Sequence, residues 1–188
     1  WRDVIGEGYT FDNVRFVAQA TADHFSKHSG NITQKKAVVG YDRRFLSDEF
    51  AQVVAEIMAG NGYQVLLADS PVPTPVVSWY TKKQKARFGV MITASHNPPE
   101  YNGFKICDGT LPMAGEELQE LKATFDAGVF RSGSGSSNEV PDFEESYLKI
   151  IVENAGKPQR PMRIAIDCGN AVPGPLALRL MEQLGVEV

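Results

Sequence analysis

The sequence predicts an α/β fold: a mixed, mostly parallel sheet flanked by helices, followed by a truncated second α/β unit. Three observations carry this expectation. Short apolar runs of strand character alternate with helical stripes, and helices of about 10–15 residues between strands argue for crossover connections and parallel pairing. The pair Asp108-Gly109 lies between two apolar stretches and predicts a hairpin, hence one antiparallel edge. One low-complexity stretch, 132–138, reads S-G-S-G-S-S-N and predicts a flexible connector. The expected domains are 1–131, a linker over 132–141, and an incomplete unit over 142–188.

Each element follows from its pattern. After Thr10, residues Val14, Val17, Ala18, Thr21 and Phe25 form a helical stripe. Residues 37–41 are a short apolar run and a buried strand. Ser47 is expected to cap the next helix, with Asp48 and Glu49 in its first turn, where the helix dipole favours them. Phe50, Val53, Val54, Ile57 and Met58 form its inner face, and Gly62 suits its stop. Residues 63–68 form the next strand. Thr74 followed by Pro75 reads as a cap with proline at the first helical position, and predicts a short helix through Trp79. Strands are expected over 88–93 and 103–107, with the hairpin leading into 110–113. Leu118, Leu121 and Phe125 mark another helix.

Past the connector, the pattern predicts a helix around 147–151, a strand over 162–167 and a helix over 175–184 ended by Gly185. A lone strand and helix cannot bury both their faces, so this unit is expected to continue past Val188. The first residue is Trp1 rather than Met, so upstream residues are expected too.

Composition narrows the function. The 188 residues carry a net charge of −4, which argues against a nucleic-acid partner. A few cations in a cleft would still bind a small anion. No run approaches the roughly 18 apolar residues of a membrane span, so no membrane partner is expected. Two cysteines, Cys107 and Cys168, lack C-x-x-C spacing and read as reduced thiols of a cytoplasmic protein. Neither G-x-x-x-x-G-K-[ST] nor a G-x-G-x-x-G after a strand is present, so a nucleotide-binding reading fails. His24 and His28 share one helix face, yet no third ligand is evident and H-E-x-x-H is absent, so they read as a solvated face. The run 82–87 (K-K-Q-K-A-R) reads as a solvated surface segment.

The informative stretch is Gly89-Val-Met-Ile-Thr-Ala-Ser-His-Asn-Pro-Pro-Glu-Tyr-Asn-Gly-Phe-Lys105. It begins as an apolar strand and breaks into polar residues at Ser95, His96 and Asn97. In an open α/β sheet, ligands bind beyond the carboxyl ends of the strands. Pro98 and Pro99 stiffen the loop, and the next strand returns Lys105 to the same sheet. A serine hydroxyl needs a base or strong electrostatics to act as a nucleophile. His96 and Asn97 can donate to phosphate oxygens, and Lys105 adds positive charge. Phosphoryl transfer rests mostly on positioning and charge neutralisation, which suits such a set. Without a G-x-S-x-G elbow around Ser95, acyl transfer is disfavoured.

Thr93-Ala-Ser-His-Asn-Pro followed by Tyr101-Asn-Gly-Phe-Lys resembles the phosphoserine loop of the α-D-phosphohexomutases. Trp1-Arg2 is similar to the tail of that family's G-T-S-G-x-R opening. Val39-Gly-Tyr-Asp-Arg-Arg44 is similar to its G-x-D-x-R segment, and Ile164-Ala-Ile-Asp-Cys-Gly-Asn170 to the strand and turn that open its second domain. The resemblance implies the family's domain I and the start of domain II. It implies that Ser95 carries a phosphoryl group, gives it to a hexose 1- or 6-phosphate, and regains the other phosphoryl group from the bisphosphosugar. Ser95, His96 and Lys105 would then be catalytic, with Lys105 assisting proton transfer. Arg2, Arg44 and Asn97 would bind substrate or phosphate. The Ser95 phosphate would be one ligand of Mg²⁺, and a hexose 1,6-bisphosphate would be the activator.

Family members are four-domain proteins, and this chain has no D-G-D-x-D-R loop to supply the other Mg²⁺ ligands. The polypeptide alone is therefore expected to be inactive, and Asp167 reads as structural. Glucose or mannose phosphate is the expected substrate. A phosphoglucosamine mutase is the alternative within the family, and a non-catalytic sugar-phosphate-binding module the alternative outside it.

Overall fold

The computed structural model describes residues 1–28, 35–126, 135–141 and 143–188. Its strands are β1 (Arg2–Val4), β2 (Lys36–Tyr41), β3 (Gln64–Ala68), β4 (Phe88–Ile92), β5 (Tyr101–Asp108), β6 (Leu111–Pro112) and β7 (Ser136–Val140). Its helices are α1 (Phe11–Lys27), α2 (Ser47–Gly60), α3 (Thr74–Lys83), α4 (Glu116–Asp126), α5 (Phe143–Ala155) and α6 (Pro173–Leu184). The sheet order is β1-β5-β4-β2-β3-β7, with β6 alongside β5. Strands β4, β2, β3 and β7 run parallel, whereas β5 is antiparallel to β1, β4 and β6. The mixed sheet and the hairpin at Asp108-Gly109 are thus as the sequence predicts.

Alternation along the strands builds a core on each face. Ala37 and Val39 of β2, with Val65, Leu67, Phe88, Val90 and Ile92, pack under α1, α2 and α4 through Val14, Phe25, Phe50, Val54, Met58 and Leu121. Val38, Leu66 and Met91 point the other way, against Val72, Val76, Val77 and Tyr80 at α3, Phe143 and Leu148 of α5, and Leu176 of α6. The Tyr80 and Phe143 rings stack with centroids 4.1 Å apart. The two cores seal the sheet, so function is left to its ends. Among the described residues, no helix is long and apolar enough to cross a membrane.

Five expectations need correction. His24, expected with His28 on a solvated helix face, is buried. Ser47 does not cap α2: Leu46 holds that position at φ 58°, and the Ser47 hydroxyl donates to Asp42 Oδ1 at 2.9 Å. The segment expected as a connector includes a strand, since Ser136–Val140 lies parallel to β3 with Leu66 opposite Asn138. Backbone pairing along an open edge needs no apolar side chains, so composition hid it. The strand expected over 162–167 reduces to one isolated bridge, Arg163 with Glu187, because among the described residues no further strand lies beside it to extend a ladder. The run 82–87 is not wholly solvated. Arg87 is buried, bonds Asp108 Oδ1 at 2.9 Å and the His28 carbonyl at 2.7 Å, and lies over the Phe25 ring. Smaller differences are shifts of element ends: α3 starts at Thr74 after Pro73 and runs past Trp79 to Lys83. Asp167 accepts the Gly169 N–H at 2.8 Å, a local turn contact.

Candidate active site

The loop after β4 is held by its own short contacts. Thr93 and Ala94 are buried, and they anchor the turn in the sheet's carboxyl end. The Ser95 N–H donates to Thr93 Oγ1 at 2.9 Å, and the Asn97 N–H donates to the Ala94 carbonyl at 3.2 Å. Ser95 itself adopts φ 61°, a left-handed conformation that favours glycine. Its Oγ lies 3.2 Å from His96 Nδ1, on the exposed side of the loop. Depending on the tautomer, that nitrogen can accept the hydroxyl proton or donate to an oxygen.

Arg44 fastens the loop from the neighbouring strand's end. Its Nη1 donates to the carbonyls of Pro98 (2.7 Å) and Tyr101 (2.9 Å), and its Nη2 to those of Ser95 (3.1 Å) and Asn97 (2.6 Å). Its Nε faces Asp42 Oδ2 at 3.5 Å. A guanidinium has five N–H groups in a fixed plane, and this geometry commits them to the loop and to Asp42. The sequence suggested Arg44 as a phosphate contact; in the structure its donors hold the backbone around Ser95.

Sequence reasoning missed Asp42, Thr93 and Asn102. Asp42 Oδ1 accepts from the Arg44 N–H at 3.0 Å and from Ser47 Oγ. Asn102, fully buried, donates to Ser47 Oγ at 2.9 Å and accepts the Gly103 N–H at 2.8 Å. The D-x-R spacing of Asp42 and Arg44 was a usable signal for the first. Thr93 and Asn102 stand inside the stretches T-A-S-H-N-P and Y-N-G-F-K, but neither was assigned a role from sequence.

The loop faces a cleft of about 550 Å³, bounded by Ser95, Asn97, Arg43, Arg44 and Thr74 on the sheet side and by 169–172 on the other. Arg43, also missed, presents an exposed guanidinium there. Lys105 lines a smaller neighbouring cavity that shares Thr74 and Met91 with the cleft. Desolvation holds its ammonium below the usual lysine range; Arg2 adds to this, and Asp42 opposes it. Arg2 lies exposed on β1, opposite Gly103. The structure therefore brings Ser95, Asn97 and Arg44 to one cleft, leaves His96 at its rim, and sets Lys105 and Arg2 beside it.

The cleft can present a hydroxyl, an imidazole and several cations to a phosphorylated ligand. Among the described residues, no cluster of three metal-ligating side chains occurs at this loop.

Residues 1–132 match the family model for the phosphoglucomutase/phosphomannomutase α/β/α domain I. A Pseudomonas aeruginosa phosphomannomutase/phosphoglucomutase is 32% identical over 187 residues, covering 100% of this chain and 39% of the relative. A Clostridium acetobutylicum phosphoglucosamine mutase is 33% identical over 167 residues, covering 84% of this chain and 37% of the relative. The crystal structure of a Burkholderia thailandensis phosphoglucomutase/phosphomannomutase family protein superposes with a TM-score of 0.86 at 30% identity, over 99% of this chain and 41% of that one. The chain thus spans about 40% of the length of the relatives it matches.

Proposed function

The chain belongs to the phosphoglucomutase/phosphomannomutase family, and from that premise we propose that it is the phosphoryl-carrying N-terminal part of a hexose-phosphate mutase, with Ser95 as the carrier. One observation carries the reading: a strained serine at the end of a buried strand, with its loop backbone gripped at four carbonyls by one arginine. A hydroxyl that hands over and regains a phosphoryl group needs such fixed placement.

The chemistry balances without an external reactant. The bond between Ser95 Oγ and phosphorus breaks as a sugar hydroxyl oxygen bonds to phosphorus, and the hydroxyl proton passes to a base. Lys105, with its depressed pKa, is the proposed base. The bisphosphosugar, also the proposed activator, then returns its other phosphoryl group to Ser95 Oγ, with the proton moving back. Asn97 and His96 would donate to phosphate oxygens, while Arg2 and Arg43 would supply positive potential. Arg44 would hold the loop.

Mg²⁺ bound partly through the Ser95 phosphate would neutralise charge on the transferring group. Such a cation takes several oxygens in near-octahedral geometry, and the other oxygens are proposed to come from outside this chain. A cytoplasmic setting accords with the two free thiols, Cys107 and Cys168.

The test is intact-mass analysis after incubation of the full-length protein with hexose 1,6-bisphosphate, with the Ser95→Ala variant beside it. One added phosphate mapping to Ser95, and turnover at least about a thousandfold lower in the variant, are expected. Turnover that survives the substitution would sink the proposal. An unmodified Ser95 with no turnover would favour a sugar-phosphate-binding module. The isolated 188-residue chain is expected to show no conversion of glucose 1-phosphate. A phosphoglucosamine substrate is the second reading, because a phosphoglucosamine mutase is 33% identical over 84% of this chain; a panel of hexose and hexosamine 1-phosphates on the full-length protein decides it.

A further inference from the structure

The opposite end of the sheet carries a different cluster. Arg87, just before β4, bonds the carbonyl of His28, so the end of α1 lies at the amino-terminal edge of β4. Ser95 lies beyond the other end of that five-residue strand, which is about 17 Å long. We propose that His24 and His28 of α1, with Glu120 of α4, form a binding site for a divalent transition metal, Zn²⁺ foremost.

The two histidines, one turn apart, offered no third ligand in sequence; packing α4 against α1 supplies it. Their ligand atoms and that of Glu120 lie within 4.8 Å of one another. Glu120 Oε2 is 3.7 Å from both His24 Nδ1 and His28 Nε2. Donors held at about 2.0–2.2 Å in a tetrahedral zinc shell stand about 3.3 Å apart, so small side-chain movements suffice. His28 Nδ1 lies 3.1 Å from the His24 carbonyl, and as the donor there it leaves the Nε2 lone pair toward Glu120. A ligating imidazole is commonly oriented by such a backbone contact. The side chain of His24 is only 6% exposed, which preorganises one ligand, while those of His28 (53%) and Glu120 (59%) leave access.

Charge around the cluster favours a cation. Arg87 is the opposing charge near His24, but Asp108 pairs with it at 2.9 Å, and Glu117 and Glu120 add two carboxylates. Two imidazoles and one carboxylate suit Zn²⁺, whereas Mg²⁺ prefers an all-oxygen shell. The site is therefore separate in place and in metal from the phosphoryl-transfer loop. A bound ion would staple α4 onto α1 and stabilise the fold in proportion to its occupancy.

The experiment is calorimetric titration of ZnCl₂ into the tag-free, chelator-stripped chain, with Co²⁺ absorption reporting geometry. One equivalent at micromolar Kd or tighter, with a raised Tm, is expected. His28→Ala and Glu120→Gln each alter an exposed side chain and should each weaken binding at least about tenfold. His96→Ala should leave it unchanged. Absence of binding below millimolar Zn²⁺, binding indifferent to both substitutions, or binding lost with His96 would overturn the proposal.

Discussion

Ser95 is held in a backbone conformation that L-residues adopt at a cost of about 1–2 kcal/mol. Glycine escapes that cost. Ser95→Gly should therefore be more stable than Ser95→Ala by about 1 kcal/mol in urea unfolding, although both remove the hydroxyl. Equal midpoints would mean that the loop is not left-handed at this residue. Arg44 makes the complementary case. Lysine keeps the charge but cannot span four carbonyls with one planar fork. Arg44→Lys should cost about 2 kcal/mol of stability and speed amide exchange at Asn97 and Tyr101. A cost of a few tenths would show that the clamp contributes little.

Strands β1 and β5 bring two cations together, Arg2 and Lys105. Because desolvation and Arg2 disfavour the Lys105 ammonium, the unfolded chain binds that proton more tightly. The contribution of Lys105 to stability therefore grows with pH between its depressed folded pKa and the ordinary lysine value of about 10.4. Competitive acetylation should find half-reactivity of Lys105 below that ordinary value. Arg2→Ala, at an exposed position, should move it upward, and an unmoved midpoint would remove Arg2 as a cause. At the other edge, β7 shields β3 through parallel backbone pairing. In a chain ending at Asp126, alternate amides of β3 should exchange at least about tenfold faster, since they lose their partners. Unchanged exchange would mean that 136–140 is a connector after all.

At the scale of the whole molecule, α5 and α6 are seated by apolar burial rather than by their ion pairs. Leu148 is fully buried in the core that α3 builds. Arg179, with its side chain 40% exposed, pairs with Glu144 at 3.0 Å and with Glu145. Leu148→Ala should cost about 2–5 kcal/mol, against less than about 1 kcal/mol for Arg179→Ala. The reverse ranking in urea unfolding would mean that charge pairing seats these helices. The docking matters for the cleft, because 169–172, just ahead of α6, form its far wall opposite Ser95.

Local pattern determined the order and type of most elements, because apolar spacing reports which face of a helix or strand is buried, and that needs only neighbouring residues. The Ser95 loop was legible for the same reason: strand, polar break and returning Lys105 are contiguous. Only tertiary structure decided the partners that chain separation conceals. Arg44 reaches carbonyls more than 50 residues away, Glu120 meets His24 and His28 across a helix interface, and a serine-rich segment becomes a strand beside β3. Those outcomes depend on where closed chain segments bring polar groups within hydrogen-bonding reach, and a one-dimensional pattern of apolar spacing does not record that distance.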